Sequence, residues 1–386
     1  MGDQAPRRSV SLTESACAVF RELVQLGYAT RPQLGRILGL SRPTMSAAIS
    51  ELEQLGYVES KGAVQGALGR KAVEYCVGAG AGHVISVDAG SSSVQLRVSM
   101  LDRRCVLNRM CRLSQNHSSL SGEISEVVGQ EIAQILDNTK PDWGPLRMLG
   151  IAIPARVPAA GPGAGTGEAD IIFSRFTPPE GVDVVLENNV NCAAVAESQY
   201  GAATDHDRSV YLQIGLKIGM GLILGGRLIR GPNGAVGEVG HLPYPWGGGL
   251  APEPGAIERH IGADALLERV RADWPDEALA APRDIGALLR LADGGNPVAA
   301  RHLQAHAEEI GRIVAAIVCV VDPGLVVLGG GVGASALLSQ TVSEVANRLS
   351  YPVEIRSTGL GRDATILGIE KLAIEASLPL LLGHPT

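Results

Sequence analysis

Arg42, Thr44, Ser46, Ala47 and Ser50 place one cation, several hydroxyls and small side chains within nine residues, and Arg70 and Lys71 follow in a glycine-rich stretch. Arginine can pair with a guanine edge or hold a phosphate, and serine or threonine can do either, so the set suits double-stranded DNA. A further arginine on a hairpin tip can enter a narrow minor groove.

Such side chains work only if a fold turns them outward together. Ser11 with Glu14 makes an S-x-x-E capping box, after which Leu12, Ala16, Val19, Phe20, Leu23 and Val24 recur at helical spacing up to Gly27. Thr30 with Gln33 makes a second box for a short helix carrying Leu34, Ile37 and Leu38, which Gly39 stops. Ser41 caps a third helix with Pro43 in its first turn. Its apolar stripe is Met45, Ile49, Leu52 and Leu55, and Gly56 closes it. In this helix-turn-helix arrangement the stripe packs inward and Arg42, Thr44, Ser46, Ala47 and Ser50 face the major groove. Residues 57–59 and 72–77 read as two strands of a wing, Val73, Tyr75 and Val77 alternating with Glu74 and Cys76, around a tip ending in Gly69-Arg70-Lys71. A three-helix unit with a hairpin also suits a protein-interaction module; caps, turn and wing together favour DNA.

At 386 residues the chain is too long for one ordinary core, which predicts two or three compact units. Its net charge of −7 is uneven: residues 1–78 hold nine Lys and Arg against seven acids, a balance of +2 that leaves −9 elsewhere. That asymmetry permits phosphate contact at the N-terminal segment and disfavours it in the remainder. No stretch is apolar enough to span a bilayer and residues 1–10 are polar, so a cytoplasmic protein without membrane contact is expected. The six cysteines (Cys17, Cys76, Cys105, Cys111, Cys192 and Cys319) are scattered without a C-x-x-C, as isolated thiols in a reducing compartment would be.

After small residues at 79–82, apolar runs at 83–88, 94–100, 105–113, 148–153 and 182–187 read as strands, with helices at 124–136 and 193–200. The second half repeats the logic, with strands at 210–214, 221–224 and 325–328 and a long helix at 299–321. This alternation argues for two α/β lobes.

The stretches GPNGAVGEVGH (231–241) and DPGLVVLGGG (322–331) are long and specific. Through them, residues from about 81 to 383 resemble the family of repressors, open reading frames and sugar kinases known as ROK. LSRPTMSAAISELEQLGYVES (40–60) with GALGRK (66–71) resembles the winged helix-turn-helix of bacterial repressors, in which Arg42, Thr44, Ser46 and Arg70 occupy DNA-touching positions. The resemblance implies a winged helix-turn-helix followed by an α/β two-lobed, actin-like (ribonuclease-H-like) domain. It implies a head at 1–78, a linker at 79–82, a first lobe of 83–200 with 360–386, and a second lobe of 201–359. The last helix, near 367–376, would fold back on the first lobe.

Kinases of that family carry a D-x-G-G-T phosphate loop, a second loop G-T-G-I-G-G-G and an Asn-Asp pair whose Asp is the general base. Here the loops read DAGSSS (88–93) and GLKIGMG (215–221), and the pair reads Asn188-Asn189 after Glu187. Leu216 offers no hydroxyl, side chains at Lys217 and Met220 obstruct close backbone approach to phosphate, and Asn189 cannot take a proton. No kinase activity is therefore expected, and no cofactor is implied. The family's structural zinc site needs three Cys after the His of G-E-x-G-H, but residues 241–258 contain none, so no metal is expected. Asn188, Asn189, Glu238, His241 and Glu258 match positions where the family grips sugar hydroxyls, a task for carboxylate, amide and imidazole groups. His241 reads equally as a sugar contact or as a hydrogen-bonded core histidine. The resemblance thus implies a DNA-binding regulator, a repressor in particular, that binds an operator as a homodimer or higher homo-oligomer. A small sugar-like effector in the cleft between the lobes would control it. The alternatives are a sugar kinase with an accessory DNA-binding domain and a regulator whose cleft is vestigial and whose control lies with a protein partner.

Overall fold

The computed structural model describes residues 12–65, 71–90, 92–113, 120–158, 177–242, 253, 255–275, 280–333 and 335–383. The head holds helices α1 (Glu14–Leu26), α2 (Arg31–Leu38) and α3 (Arg42–Gln54) and strands β1 (Tyr28–Thr30), β2 (Val58–Gln65) and β3 (Lys71–Val77), ordered β1-β3-β2 with both pairings antiparallel. The Thr30 hydroxyl accepts from the Gln33 amide and the Gln33 side chain accepts from the Thr30 amide at 2.8 Å, so the second capping box forms as read. Ser41 accepts from the Thr44 amide at 3.3 Å and starts α3. The first helix begins differently: Thr13, whose side chain accepts from the Ala16 amide, is the cap, while Ser11 lies outside the described residues. Ile37 is also not part of the inward stripe of α2; it is 54% exposed, leaving Leu34 buried and Leu38 half-buried.

Residues 79–82, expected as a linker, are fastened to the head. Ala79–Ala81 form a 3-10 turn, the Gly78 amide bonds the Tyr57 carbonyl at 2.8 Å and the Gly80 amide bonds the Gly56 carbonyl at 2.9 Å. A Cβ on Gly80 would lie 2.5 Å from the Leu55 carbonyl oxygen, so the missing side chains let two backbones close on each other.

Next come β4 (His83–Ala89), β5 (Ser93–Met100), β6 (Cys105–Arg112), α4 (Leu120–Asp137), β7 (Leu146–Ile153) and β8 (Asp183–Asn188), the strands ordered β6-β5-β4-β7-β8. After α5 (Asn189–Tyr200) a second sheet contains β9 (Arg208–Ile214), β10 (Ile218–Leu224), β11 (Arg227–Ile229), β12 (Leu325–Gly329) and β13 (Glu354–Ser357), ordered β11-β10-β9-β12-β13. In both sheets the first strand is central, antiparallel to the second and parallel to the fourth, so one topology occurs twice. The remaining helices are α6 (Ala256–Ile261), α7 (Ala263–Ala272), α8 (Ile285–Asp293), α9 (Pro297–Val321), α10 (Gly330–Gly333), α11 (Ala336–Leu349) and α12 (Ala364–Leu382). Among the described residues no helix is long and apolar enough to cross a membrane.

The chain divides into two compact units rather than a head and two lobes. The first takes the described residues up to Pro154, those of 168–187 and those from Ile369 onward; the second takes those of 155–167 and 188–368. The head joins the first unit because they share a core: Phe20, Leu23, Ile49 and Leu52 are buried in one cluster with Val84, Leu101, Met148, Ala373, Leu381 and Leu382. Truncating any of the large members to Ala should cost about 2–5 kcal/mol. Helix α5, read by sequence as part of a first lobe, packs instead on β9 and β10 of the second unit. Gly219 and Gly221 make room there: a Cβ on Gly221 would sit 2.5 Å from the Cβ of Ala194.

Candidate functional site

The outward set expected to read DNA follows from the period of α3. Met45, Ala48, Ile49 and Leu52 are buried, and Arg42, Thr44, Ser46, Ala47 and Ser50 are all exposed, as a helix with 3.6 residues per turn requires. The Thr44 hydroxyl lies 2.8 Å from that of Ser41, so part of its capacity serves the cap. Lys71 is exposed at the start of β3, and Arg70 lies outside the described residues. The contacts that fasten α3 and the neighbouring α2 within the head have no sequence signal. Glu51 accepts from the Thr13 amide at 2.9 Å and from its hydroxyl at 2.6 Å, across 38 residues of chain. Arg31 stacks 5.1 Å from the centre of the Tyr75 ring and lies 3.9 Å from Glu53.

All five residues expected to hold an effector fall in the second unit. Asn188 caps α5: its side-chain oxygen accepts from the amides of Val190 at 2.8 Å and Asn191 at 3.3 Å, and its amide group donates to the Ala155 carbonyl at 3.1 Å. The side chain of Asn188 is thus engaged at both ends, and half-buried Asn189 is the first residue of the helix. Glu238 and His241 flank a 3-10 turn, their side chains 3.8 Å apart, with His241 57% and Glu238 30% exposed. Such exposure removes the core-histidine reading of His241. Glu258, on α6, comes against the same turn: a Cβ on Gly240 would be 3.4 Å from a Glu258 carboxylate oxygen. The glycines of GPNGAVGEVGH make this turn possible. Gly237 has φ +92°, and a Cβ there would collide with the Met220 carbonyl oxygen at 1.8 Å. The structure therefore brings Glu238, His241 and Glu258 together. Strand β10 links them to the Asn188 end of α5, since Met220 bonds Gly237 at 2.9 Å and Gly219 faces Val190.

The two loops read as decayed phosphate cradles differ from expectation in one respect. Met220 obstructs nothing, because residues 218–224 are strand β10 and its side chain is buried in the second core. Only Gly215 to Lys217 form a turn, closed by the Gly215 amide on the Lys217 carbonyl at 3.1 Å, with Leu216 and Lys217 exposed. Asp88 ends β4 half-buried in the first unit, and burial pushes its carboxyl up to about 7. Glu187 is buried at the end of β8. Among the described residues no three His, Cys, Asp or Glu are placed to hold a metal ion, and residues 241–258 lack the thiolates a zinc site of this type needs.

The described residues thus form a three-helix head with an antiparallel hairpin, which shares its core with one of two α/β units that carry the same sheet topology. Residues 84–376 match the ROK family, and the chain belongs to that family. It is similar to the xylose repressor of Bacillus subtilis (strain 168), 25% identical over 384 residues that cover 94% of this chain and 95% of that protein. Among solved structures it is similar to a ROK family transcriptional regulator described as a homologue of the E. coli MLC protein, with a TM-score of 0.71 and 20% identity over 95% of this chain and 96% of that one. It is also similar to the ROK hexokinase of Thermus thermophilus, with a TM-score of 0.57 and 27% identity over 76% of this chain and 98% of that one.

Proposed function

We propose that the protein is a DNA-binding transcriptional repressor of the ROK family whose operator affinity is set by a small sugar-like effector, and that it transfers no phosphoryl group. The observation that carries this reading is the exposed row Arg42, Thr44, Ser46, Ala47 and Ser50 on a capped third helix, with Lys71 at the wing. Arg70, which lies outside the described residues, is the further DNA contact that this reading includes. Similarity over nearly the whole length to a xylose repressor supports both the head's role and D-xylose as the first effector to test. Glu238 and His241 at one turn, with Glu258 on α6 against it, supply acceptors and a donor, and Asn188 and Asn189 complete the set of hydroxyl partners. Asn189 in place of a carboxylate base, with Leu216 and Lys217 at the second loop, argues against phosphoryl transfer. The protein binds its operator as a homodimer, matching paired half-sites.

The test uses a duplex selected from a random-sequence library by the protein itself. Fluorescence anisotropy should give saturable, salt-dependent binding that weakens or tightens on addition of D-xylose or another pentose or hexose. A coupled ADP-release assay with the same sugars should stay at background. Sugar-dependent ATP turnover would establish the kinase reading in its place.

A further inference from the structure

Helix α12 belongs to both compact units: its residues through Gly368 count with the second and those from Ile369 with the first. Its first turns are seated on α5. The Thr365 hydroxyl donates to the Asn189 carbonyl at 3.4 Å, and a Cβ on Gly368 would lie 1.8 Å from the Cys192 carbonyl oxygen. Its middle is fastened to the first sheet, where buried Glu370 accepts from Arg97 of β5 at 2.9 Å and a Cβ on Gly150 of β7 would meet the Cβ of Ala373 at 2.9 Å. Its end lies in the core of the head: Leu381 and Leu382 are buried with Phe20 and Leu23, and the Leu382 carbonyl accepts from the Cys17 thiol at 4.0 Å. From α1 the contacts continue through Thr13 to Glu51 on α3.

We propose that α12 is the element that transmits the state of the α5 N-terminus, where Asn188 and Asn189 lie, to the DNA-reading helix α3. The seat at Gly368 is backbone against backbone, so a shift of α5 cannot be absorbed there by a rotamer change. It must move α12 or break the contact. The helix has 19 residues, about 28 Å at 1.5 Å per residue, and its buried end turn shares the core that positions α1. The proposal rests on the repressor reading for the meaning of the signal. The coupling itself needs no effector to be measured.

The experiment measures the operator Kd of the full chain without sugar, on the duplex selected by the wild type. Gly368→Ala drives a methyl into the α5 seat and should shift the Kd by about tenfold. Gly311→Ala is the control: its Cβ would meet the Cβ of Val345 at 2.6 Å, a smaller overlap that disturbs the packing of α9 on α11 in the same unit but away from the α5 seat. It should lower the melting temperature and leave the Kd unchanged. Equal shifts for both variants, or none for Gly368→Ala, would overturn the proposal. If Gly368→Ala does not fold, Thr365→Val decides in its place: it keeps the volume, loses only the bond to Asn189, and should move the Kd at least about threefold, an unmoved Kd counting against the coupling. Wild-type binding to the selected duplex with no sugar response would refute the effector reading while leaving this result standing.

Discussion

A carboxylate beside a histidine can be a strut or a ligand contact, and the geometry at Glu238 separates the two. The pair with His241 spans 3.8 Å and the imidazole is 57% exposed, so that pair by itself is worth about 0–1 kcal/mol. Glu238→Gln should therefore leave the melting temperature nearly unchanged without ligand while removing the sugar response of operator binding, since a charged acceptor is lost only in the complex. A variant that melts far below wild type and still responds to sugar would rule Glu238 out of the site. On the head, Arg42→Ala should weaken operator binding by about 1–3 kcal/mol, with the loss concentrated at one base position, whereas Lys71→Ala should lower the salt slope by about 1 and weaken all sequences alike. Anisotropy titrations across a salt series distinguish these outcomes. The outward side chains of α3 were legible because they follow from where buried Met45, Ile49 and Leu52 must point. Glu51 was not, since its partner Thr13 lies 38 residues away and only the folded head puts them together. Met220 was misplaced because a glycine-flanked run resembles a loop, although its side chain is core.

Elements were legible where they carry their own punctuation. The Thr30 and Ser41 caps and the strand-helix alternation follow from local chemistry, and the long helix expected at 299–321 is Pro297–Val321 with Asn296 as its cap. Strand β1 was not, because three residues are too few to show alternation and it exists only by pairing Ala29 with Tyr75 of β3. The glycines at 78, 80 and 82 were read only as part of a small-residue linker, and Gly78 and Gly80 prove to permit close backbone contact. This makes a prediction whose sign discriminates. In a loose linker, Gly80→Ala would be neutral or would stabilise by about 0.4–1 kcal/mol through the unfolded chain. In the observed joint the added methyl meets the Leu55 carbonyl oxygen at 2.5 Å and the Gly56 carbonyl oxygen at 2.8 Å, both backbone atoms that cannot swing away. Gly80→Ala should accordingly destabilise by about 1–3 kcal/mol in denaturant unfolding. A stabilised variant would restore the linker and, with it, an independent head.

Across the whole molecule, two desolvated titrating groups, half-buried Asp88 and buried His306, sit one in each unit and pull stability against pH in opposite directions. His306, on α9, is buried with neither ring nitrogen hydrogen-bonded, and burial, with the charges of Arg269 and His260, lowers it to about 4. Its unfolded value is about 6.5, so between pH 6.5 and 4 the unfolded chain binds the extra proton; the stability is complete above that window and is lost as pH falls through it. Asp88 runs the other way. Its folded value near 7 stands above an unfolded value of 3.8, so the folded state holds the extra proton, and stability is lost as pH rises through 7. Where the windows overlap, the two proton counts cancel, and these groups together leave a single cooperative transition flat with pH. Removing one exposes the other. Asp88→Asn should leave stability rising by about 1.4 kcal/mol per pH unit between 4 and 6.5, and His306→Leu should leave it falling by about the same amount. Should the units unfold separately, the wild type itself carries both slopes, the first unit's transition weakening as pH rises and the second's strengthening. Unfolding in denaturant at half-unit steps from pH 4.5 to 8 reads the tilt directly. Parallel profiles for the two variants would mean that neither group is desolvated as the fold places it.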